Sequence, residues 1–212
     1  MKRWKFDKEV AANFVNHASQ HIPNYHDVID QCIDVCNSYD DKSIKIIDVG
    51  CATGETINRL HINGFRNLYG VDNSQDMLEQ CPQHAATYYL SDKFPKGNFD
   101  VILVNWTLHF IEDKVSYLQS AYECLNENGV LIISDKISKD PKAIRFYHNL
   151  KRKNGVSEKD IAEKESQVED IMFINNLDWY KDILRSTGFK SNNIHIINAY
   201  WCFATIAAFK EM

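Results

Sequence analysis

The sequence predicts a doubly wound α/β domain whose central sheet is mostly parallel. Between residues 44 and 133, short apolar runs rich in β-branched residues alternate with segments of helical spacing. The runs are apolar at consecutive positions, which is typical of parallel strands that are buried on both faces. Two adjacent strand-like runs at 194–197 and 201–209 close the chain and predict a terminal antiparallel hairpin.

Helices and strands can be assigned in order along the chain. Two helices are predicted within residues 6–37, because apolar residues recur at helical spacing on either side of Pro23. Five strands follow, at 44–49, 67–71, 87–90, 101–104 and 130–133. The helices between them cover 54–62, 74–81 and 113–126, and the last of these is predicted to stop at Asn128-Gly129. A further helix at 178–187, ended by Gly188, precedes the hairpin, which brings the sheet to seven strands.

Residues 140–175 interrupt this alternation with a long charged segment of helical spacing that has no strand pattern. We interpret it as a helical lid inserted after the fifth strand. No repeat and no Pro/Gly-rich linker divides the chain. We therefore expect a single domain over residues 1–212, with an N-terminal helical cap over 1–40 and the lid over 140–175.

Composition restricts the classes of partner. The chain has 212 residues, of which 44% are apolar, and a formal net charge of −5. An acidic chain is a poor match for broad phosphate binding, so we expect a small-molecule substrate and no direct nucleic-acid partner. The six cysteines form no CxxC pair, so we expect reduced, buried thiols and no metal. Neither a signal peptide nor an apolar run long enough for a membrane span is recognisable, which predicts a cytoplasmic protein without a membrane partner.

A glycine loop at residues 48–54 follows the first predicted strand and reads DVGCATG. Gly50 permits a tight turn and close approach of a ligand to the backbone, and Gly54 lets the next helix pack against the strand. A dinucleotide-binding loop has GxGxxG spacing, whereas this loop has GxxxG spacing with Ala52 at the second glycine position. The loop resembles motif I of the S-adenosylmethionine-dependent methyltransferases. A plain strand-to-helix turn is the alternative interpretation.

Acidic residues follow the next two strands. Asp72 lies 22 residues after Gly50, where a carboxylate can accept hydrogen bonds from both hydroxyls of a ribose. Its alternative role is to cap the following helix, which Ser74 can also do. Asp92, after the third strand, is a candidate acceptor for the adenine amino group, and a surface loop aspartate is the alternative.

Three residues after the fourth strand are candidates for the site at which the methyl donor meets the acceptor. Asn105 is a candidate for the methionine end of the cofactor. Trp106 can offer its ring to the adenine or to the sulfonium cation, although a core position is an equally good interpretation. His109 is a candidate general base, with capping of the helix at 113–126 as its alternative.

The chain as a whole resembles the carboxy-S-adenosylmethionine synthase family, a group with the class I methyltransferase fold that serves modification of the tRNA wobble uridine. The resemblance covers nearly the whole chain and includes the segment after the fifth strand. The matching segments are 4–7, 22–25, 72–74 with Met77, 105–110, and 148–158 running on to 169–172. The resemblance implies a class I methyltransferase fold of Rossmann type.

The resemblance also implies a ligand set, a cofactor and an oligomeric state. S-adenosylmethionine would be the cofactor, with S-adenosylhomocysteine as the product of methyl transfer. Family members are homodimers that bind no tRNA themselves. The implied cofactor-binding residues, together with those singled out above, are Tyr25, Asp48, Gly50, Cys51, Ala52, Gly54, Asp72, Asn73, Asp92, Lys93, Asn105 and Trp106.

One departure from the family concerns charge. The synthases transfer a carboxyl group derived from prephenate to the methyl carbon of the cofactor, and an arginine in the inserted helices pairs with the new carboxylate. Ungapped alignment puts Glu165 at the position of that arginine. Lys164 is adjacent, but neighbouring positions of a helix point to different sides, so Arg145 or Arg152 are the candidates for a compensating charge. Two carboxylates ~4 Å apart repel by ~4 kcal/mol at an effective dielectric constant near 20. A second departure is that His109 stands where the family has glutamine.

Three functional interpretations follow. The favoured one is a methyltransferase that transfers the methyl group of S-adenosylmethionine in line to a small-molecule acceptor. The alternatives are a divergent carboxy-S-adenosylmethionine synthase and a non-catalytic subunit that binds the cofactor. The candidate catalytic residues, each with a structural alternative as a core or surface residue, are His109, Tyr147, His148 and Glu165.

Overall fold

Seven strands form one sheet in the computed structural model, which describes residues 4–211. They are β1 (Ile46–Val49), β2 (Leu68–Asp72), β3 (Thr87–Leu90), β4 (Phe99–Asn105), β5 (Leu125–Lys136), β6 (Ile194–Tyr200) and β7 (Phe203–Phe209). The order across the sheet is β3-β2-β1-β4-β5-β7-β6. Strands β1 to β5 are parallel, whereas β7 runs antiparallel to both of its neighbours. The predicted seven-stranded, mostly parallel sheet with a terminal hairpin is confirmed.

Helices cover both faces of the sheet. They are α1 (Lys8–Ala11), α2 (Phe14–His21), α3 (Tyr25–Asn37), α4 (Glu55–Ile62), α5 (Gln75–Leu78), α6 (Lys114–Cys124), α7 (Pro141–Lys153), α8 (Glu158–Val168) and α9 (Leu177–Thr187). One core cluster joins the sheet to α3 and α4 through residues such as Ile29 and Leu60. The other joins it to α6 and α9 through Leu118 and Tyr180. The strands are apolar at consecutive positions because helices pack on both faces of the sheet.

The N-terminal region contains one more break than the sequence predicts. Pro23 separates α2 from α3 as expected, but α1 and α2 are also separate. Asn13 has φ −131° and ψ 22°, which is not a helical conformation. The apolar spacing continues from Val10 to Phe14 across this residue, so periodicity alone does not reveal the break.

The predicted end of the helix at 113–126 is wrong. Helix α6 stops at Cys124, and β5 begins at Leu125, five residues before its apolar centre. Leu125 pairs with Phe99 and Val130 pairs with Val101, so β5 carries an irregularity around Asn128, which has φ 60°. The Asn128-Gly129 sequence, which is typical of a helix stop, here lies within the irregular part of a strand.

The cysteines are all free thiols. Five are buried as predicted, and Cys124 is half-buried instead. No helix among residues 4–211 is long and apolar enough to cross a membrane. Within the same residues, no three side chains of His, Cys, Asp or Glu lie together as a metal site would require.

Helices α7 and α8, which form the predicted lid, contact the N-terminal helices. The side-chain amide of Asn154 donates to the carbonyl of Gln20 at 3.1 Å, and the backbone N–H of Trp4 donates to the carbonyl of Gln167 at 3.3 Å. The extent of a single domain and the bounds of cap and lid stay predictions.

The turn from β1 into α4 has an unusual backbone. Gly50, Ala52 and Gly54 have positive φ values of 80°, 47° and 77°. The backbone N–H groups of Gly50 and Cys51 both donate to the carbonyl of Val71, at 2.7 and 3.0 Å, which ties the turn to β2. A Cβ on Gly50 would meet the Thr107 side chain, with the nearest atom 2.1 Å away. The sequence places glycine where only glycine fits without displacement.

Replacement of Gly50 by alanine should therefore lower the free energy of unfolding by more than the cost of the left-handed backbone alone, because the new Cβ would also overlap Thr107. Gly64 is a matched control, since it has φ +96° and a Cβ added there would meet no atom within 4 Å. We expect Gly64→Ala to cost about 1–2 kcal/mol from the left-handed backbone alone. Gly50→Ala should cost about 1–3 kcal/mol more, as overpacking does. Urea unfolding measures both, and equal costs would contradict the proposed contact with Thr107.

Candidate functional site

A cavity of about 330 Å³ opens where the carboxyl ends of β1, β2 and β4 meet. Strand β1 pairs with β2 on one side and with β4 on the other. The strand order therefore runs outward in opposite directions on the two sides of β1. Such a reversal leaves a crevice beyond the strand ends, which is where open α/β sheets bind ligands.

The structure brings nearly all of the predicted cofactor residues to this cavity. Those that line it are Tyr25, Asp48, Gly50, Cys51, Ala52, Asp72, Asn73, Asp92, Lys93, Asn105 and Trp106. Gly54 does not line it and faces a neighbouring polar groove, at the start of α4. Asp92 and Lys93 lie on the exposed rim. Aromatic residues of the cap, Phe6 and Phe14, also line the cavity, and the sequence analysis did not select them.

Asp72 connects the glycine loop to the second strand. One of its carboxylate oxygens accepts from the backbone N–H of Ala52 and the other from that of Ser74, each at 2.9 Å. Burial is the largest effect on this carboxyl group and raises its pKa. The Ser74 hydroxyl caps α5 by accepting from the N–H of Met77 at 3.2 Å. The capping alternative for Asp72 is thus met by Ser74, as the sequence suggested.

Asp48 lines the cavity and has one carboxylate oxygen without a hydrogen-bond partner among residues 4–211. The side chain is buried, and this oxygen is Oδ1. Burial, and next the charge of Asp72, raise the pKa of Asp48 from 3.8 to about 7. A buried carboxylate without a partner is costly, so a cationic or hydrogen-donating ligand would be stabilised here.

Two aromatic rings lie beside the cavity. The centroids of Tyr25 and Trp106 are 4.9 Å apart. Trp106 has φ 54°, and its backbone N–H donates to the carbonyl of Ser134 at 2.6 Å. The chain therefore turns sharply after β4. The side chain of Asn105 contacts the Cys32 thiol at 3.8 Å, which fixes the amide at the strand end.

A second cavity of about 130 Å³ adjoins the first. The two share wall residues of the cap and of the segment after β4, namely Phe6, Phe14, Ile22, Trp106 and Phe110. Helices α7 and α8 close its other side. Its wall is mainly aromatic, which suits an apolar or aromatic ligand body.

Three of the four candidate catalytic residues line this second cavity. They are His109, Tyr147 and Glu165. His148 is not in the wall, and its Nε2 instead forms a close hydrogen bond with the Glu165 carboxylate. Glu165, at the lid position where the resemblance implies an arginine, therefore has a hydrogen-bond partner outside the cavity wall.

Three lysines line the same cavity. They are Lys136 of β5, Lys151 of α7 and Lys164 of α8. Burial, and next the nearby lysines, lower the pKa of Lys151 to about 8 and that of Lys164 to about 6. Lys136 and Lys151 lie 5.2 and 4.3 Å from the centroid of the Tyr147 ring.

The sequence analysis missed Lys136 and Lys151 and named two arginines instead. It also set Lys164 aside, wrongly, because Lys164 and Glu165 both line this cavity. Neither Arg145 nor Arg152 lines the cavity. Both are exposed, and Arg152 binds Glu158. Lys151 lies one helical turn after Tyr147 on the buried face of α7, which is the spacing that could have identified it.

His109 belongs to a buried hydrogen-bonded chain. Its Nδ1 bonds to Asp135, whose second carboxylate oxygen accepts from the Tyr180 hydroxyl. The alternative role of His109 as a helix cap is wrong, because the Asp113 side chain caps α6 by accepting from the N–H of Ser116 at 3.1 Å. Asp135 and Tyr180 were not predicted, since they lie far from His109 in sequence.

Comparison with solved structures shows the class I methyltransferase fold. A methyltransferase of Methanococcus maripaludis, described as putative and S-adenosyl-L-methionine-dependent, superposes with a TM-score of 0.67 at 19% identity, covering 100% of this chain and 97% of that one. The magnesium protoporphyrin IX methyltransferase of Synechocystis, solved with bound SAH, gives a TM-score of 0.67 at 14% identity, covering 91% and 86%.

Comparison of sequences shows the family. The family model described as methyltransferase domain matches residues 40–176. The carboxy-S-adenosyl-L-methionine synthase of Histophilus somni is 30% identical, over 87% of this chain and 85% of that protein. The chain therefore belongs to the methyltransferase-domain family and, within it, to the family of the carboxy-S-adenosyl-L-methionine synthases.

The raised pKa of Asp48 predicts the direction of a pH effect on stability. The native state keeps a proton that the unfolded chain, with a pKa near 3.8, has released, so stability should fall as pH rises from about 4 to about 7. Asp48→Asn removes this titration. In urea unfolding, we expect the variant to gain stability over the unaltered protein on going from about pH 5 to about pH 8.

Asp34→Asn, at an exposed position of α3, controls for the loss of one carboxylate. It should leave the pH dependence of the unaltered protein in place. An Asp48→Asn variant with that same pH dependence would show that Asp48 is already ionised in the native state.

Proposed function

We propose that this protein is an S-adenosylmethionine-dependent methyltransferase that acts on a small-molecule acceptor. The observation that carries the proposal is the pair of adjoining cavities with a common wall. A donor in the cavity at the strand ends and an acceptor in the second cavity would meet beside Trp106 and Phe110. In-line transfer requires such an arrangement, with the acceptor held on the far side of the donor methyl group.

The residues at the first cavity fit S-adenosylmethionine. The unpaired oxygen of Asp48 suits a ligand that carries positive charge and N–H donors. The absence of a Cβ at Gly50 lets the loop pack closely against Thr107, and both residues line the cavity where the cofactor would lie. Related folds support this assignment, since the Synechocystis enzyme was solved with SAH bound.

Each cofactor residue has a proposed part. Asp72 would accept from the ribose hydroxyls, with Asn73 beside it, and Asp92 and Lys93 would flank the adenine at the rim. Tyr25 and Asn105 would contact the methionine end. When bound, the sulfonium supplies an electrophilic methyl group, so the protein has to orient the acceptor and exclude water.

A carboxy-S-adenosylmethionine synthase is the second candidate function, and the lysines of the second cavity favour it. Lys136 and Lys151 line that wall together with Glu165, so the cavity can hold an anionic group despite the missing arginine. The hydrogen bond between Glu165 and His148 gives the Glu165 carboxylate a partner of its own, apart from any ligand in the cavity. The identity to the synthases over most of the chain supports the same interpretation.

Identification of the co-purified nucleoside separates the two candidates. The freshly purified protein is denatured, and the released ligand is identified by liquid chromatography and mass spectrometry. S-adenosylmethionine or S-adenosylhomocysteine is the expected result. The carboxylated cofactor, or its formation when the protein is incubated with S-adenosylmethionine and prephenate, would instead establish the second candidate.

Several narrower expectations stay predictions. They are the small-molecule acceptor, the homodimer, the cytoplasmic location and the absence of a nucleic-acid partner. Tight cofactor binding without turnover across a broad acceptor panel would favour the third interpretation, a non-catalytic subunit.

Substitution of Asp72 tests the cofactor assignment. Asp72→Asn keeps the side-chain shape but loses the charge, so SAH binding should weaken by about 10- to 100-fold, as for a lost hydrogen bond to a charged group. Isothermal titration calorimetry measures the affinity. Asp76→Asn, on α5 and outside the wall of the cavity, is the control and should bind SAH like the unaltered protein. If Asp72→Asn bound SAH with unchanged affinity, Asp72 would not be the residue that binds the ribose.

A further inference from the structure

Three buried side chains form a continuous chain of hydrogen bonds at the ends of β4 and β5. His109 bonds through Nδ1 to Asp135, and the Tyr180 hydroxyl donates to the other oxygen of the same carboxylate. The backbone N–H of Lys136 adds a third hydrogen bond to Asp135 at 2.9 Å. The exposed fractions of His109, Asp135 and Tyr180 are 5%, 1% and 0%.

This arrangement fixes the position of the proton on His109. A carboxylate that receives hydrogen bonds on both oxygens acts as an acceptor only, so Nδ1 must carry the hydrogen that it donates to Asp135. Burial, and next the charge of Asp135, raise the pKa of Tyr180, which keeps its hydroxyl protonated as a donor. The Nε2 of His109 is left with its lone pair.

The geometry points to a proton relay for methyl transfer. We infer that His109 is the catalytic base, that Asp135 and Tyr180 are positioning residues, and that the acceptor is a hydroxyl, phenol or amine that loses a proton as it is methylated. His109 lines the second cavity, and its Nε2 has no hydrogen-bond partner among residues 4–211. The inference rests on the proposed function, whose acceptor class it names.

The step balances without a further reactant. For a phenol, the proton moves to Nε2 of His109 while a lone pair of the oxygen forms the new bond to the methyl carbon. The bond between that carbon and the sulfonium breaks, and its electron pair stays on sulfur. The products are a methyl ether, S-adenosylhomocysteine and an imidazolium ion, which Asp135 stabilises until it releases the proton to solvent.

The residue type at position 109 distinguishes this reaction from carboxylation of the cofactor. Glutamine, which the resemblance places here in the synthases, has no basic lone pair at neutral pH. His109 supplies one, and its hydrogen bond to Asp135 fixes the ring at the wall of the second cavity. The pair of residues is therefore suited to an acceptor with a removable proton.

Other titratable groups line the second cavity with His109 or lie near Asp135. They are Lys114 of α6, Lys136 of β5, His17 and His21 of α2, Tyr147 and Lys151 of α7, and Lys164 and Glu165 of α8.

Nuclear magnetic resonance of histidine labelled with nitrogen-15 tests the relay without an acceptor. In the SAH-loaded protein at about neutral pH, we expect a protonated Nδ1 and an unprotonated Nε2 for His109. Asp135→Asn should abolish this pattern while SAH affinity stays unchanged. A protonated Nε2 would overturn the inference. If the unaltered protein did not bind SAH, that result would count against the proposed function instead.

Two probe acceptors test the chemistry. Phenol and thiophenol are little larger than benzene, which occupies a cavity of roughly 150 Å³. The second cavity has about 130 Å³ and adjoins the first, so both probes suit its aromatic wall. Thiophenol is largely ionised at neutral pH and needs no base, whereas phenol does. With labelled S-adenosylmethionine, His109→Gln and Asp135→Asn should lose phenol methylation by ~100-fold or more and keep thiophenol methylation within about threefold. Tyr180→Phe should show the same selective loss to a smaller extent.

His84→Gln, at an exposed position, is the matched control and should methylate both probes like the unaltered protein. Equal loss of both probes in His109→Gln would mean a structural role, and an unchanged phenol rate would exclude a base; either overturns the relay. If the unaltered protein methylates thiophenol but not phenol, the relay is also overturned. If neither probe reacts although SAH binds, the protonation pattern seen by magnetic resonance decides.

Discussion

The carbonyl of Val71 is the point on which the whole site depends. It accepts from the backbone N–H groups of Gly50 and Cys51, so the end of β2 holds the turn that leaves β1. The next residue, Asp72, then accepts from the N–H of Ala52 and closes a second link between the same two segments. A glycine at position 50 is the condition for both, because any larger residue would overlap Thr107 after β4. Three strand ends are thereby kept within reach of one ligand.

Much of the fold follows from local pattern, because alternating buried strands and amphipathic helices leave a clear signal. The loop at 48–54 and the aspartate at 72 are likewise legible, since their spacing reflects the fixed distance between neighbouring strand ends. What the sequence does not reveal is proximity across the sheet. Asp135 and Tyr180 reach His109 only through the pairing of β4 with β5 and the packing of α9, and no spacing encodes that.

The ends of elements were the other source of error, and for a related reason. Asn128-Gly129 is an ordinary helix stop in local terms, yet the side chain of Lys210 at the far end of the chain donates to the carbonyls of Tyr122 and Leu125, at 2.9 and 2.7 Å. Those two carbonyls lie where α6 gives way to β5, and they find a donor there that no local rule could supply. Charge in the lid was misjudged in the same way, because the lysines of the second cavity come from three separate elements.

The cap and the lid meet over the second cavity through few polar links, among them those from Asn154 to Gln20 and from Trp4 to Gln167. A cavity closed by such contacts can be opened at low free-energy cost, since local openings involve few buried groups. Entry and exit would then proceed by parting of two helical segments, with the sheet unchanged. The strand ends would then determine the chemical step, whereas the helices would determine the rates of ligand entry and release. Substitutions in the helices would change the turnover rate without changing the strand ends.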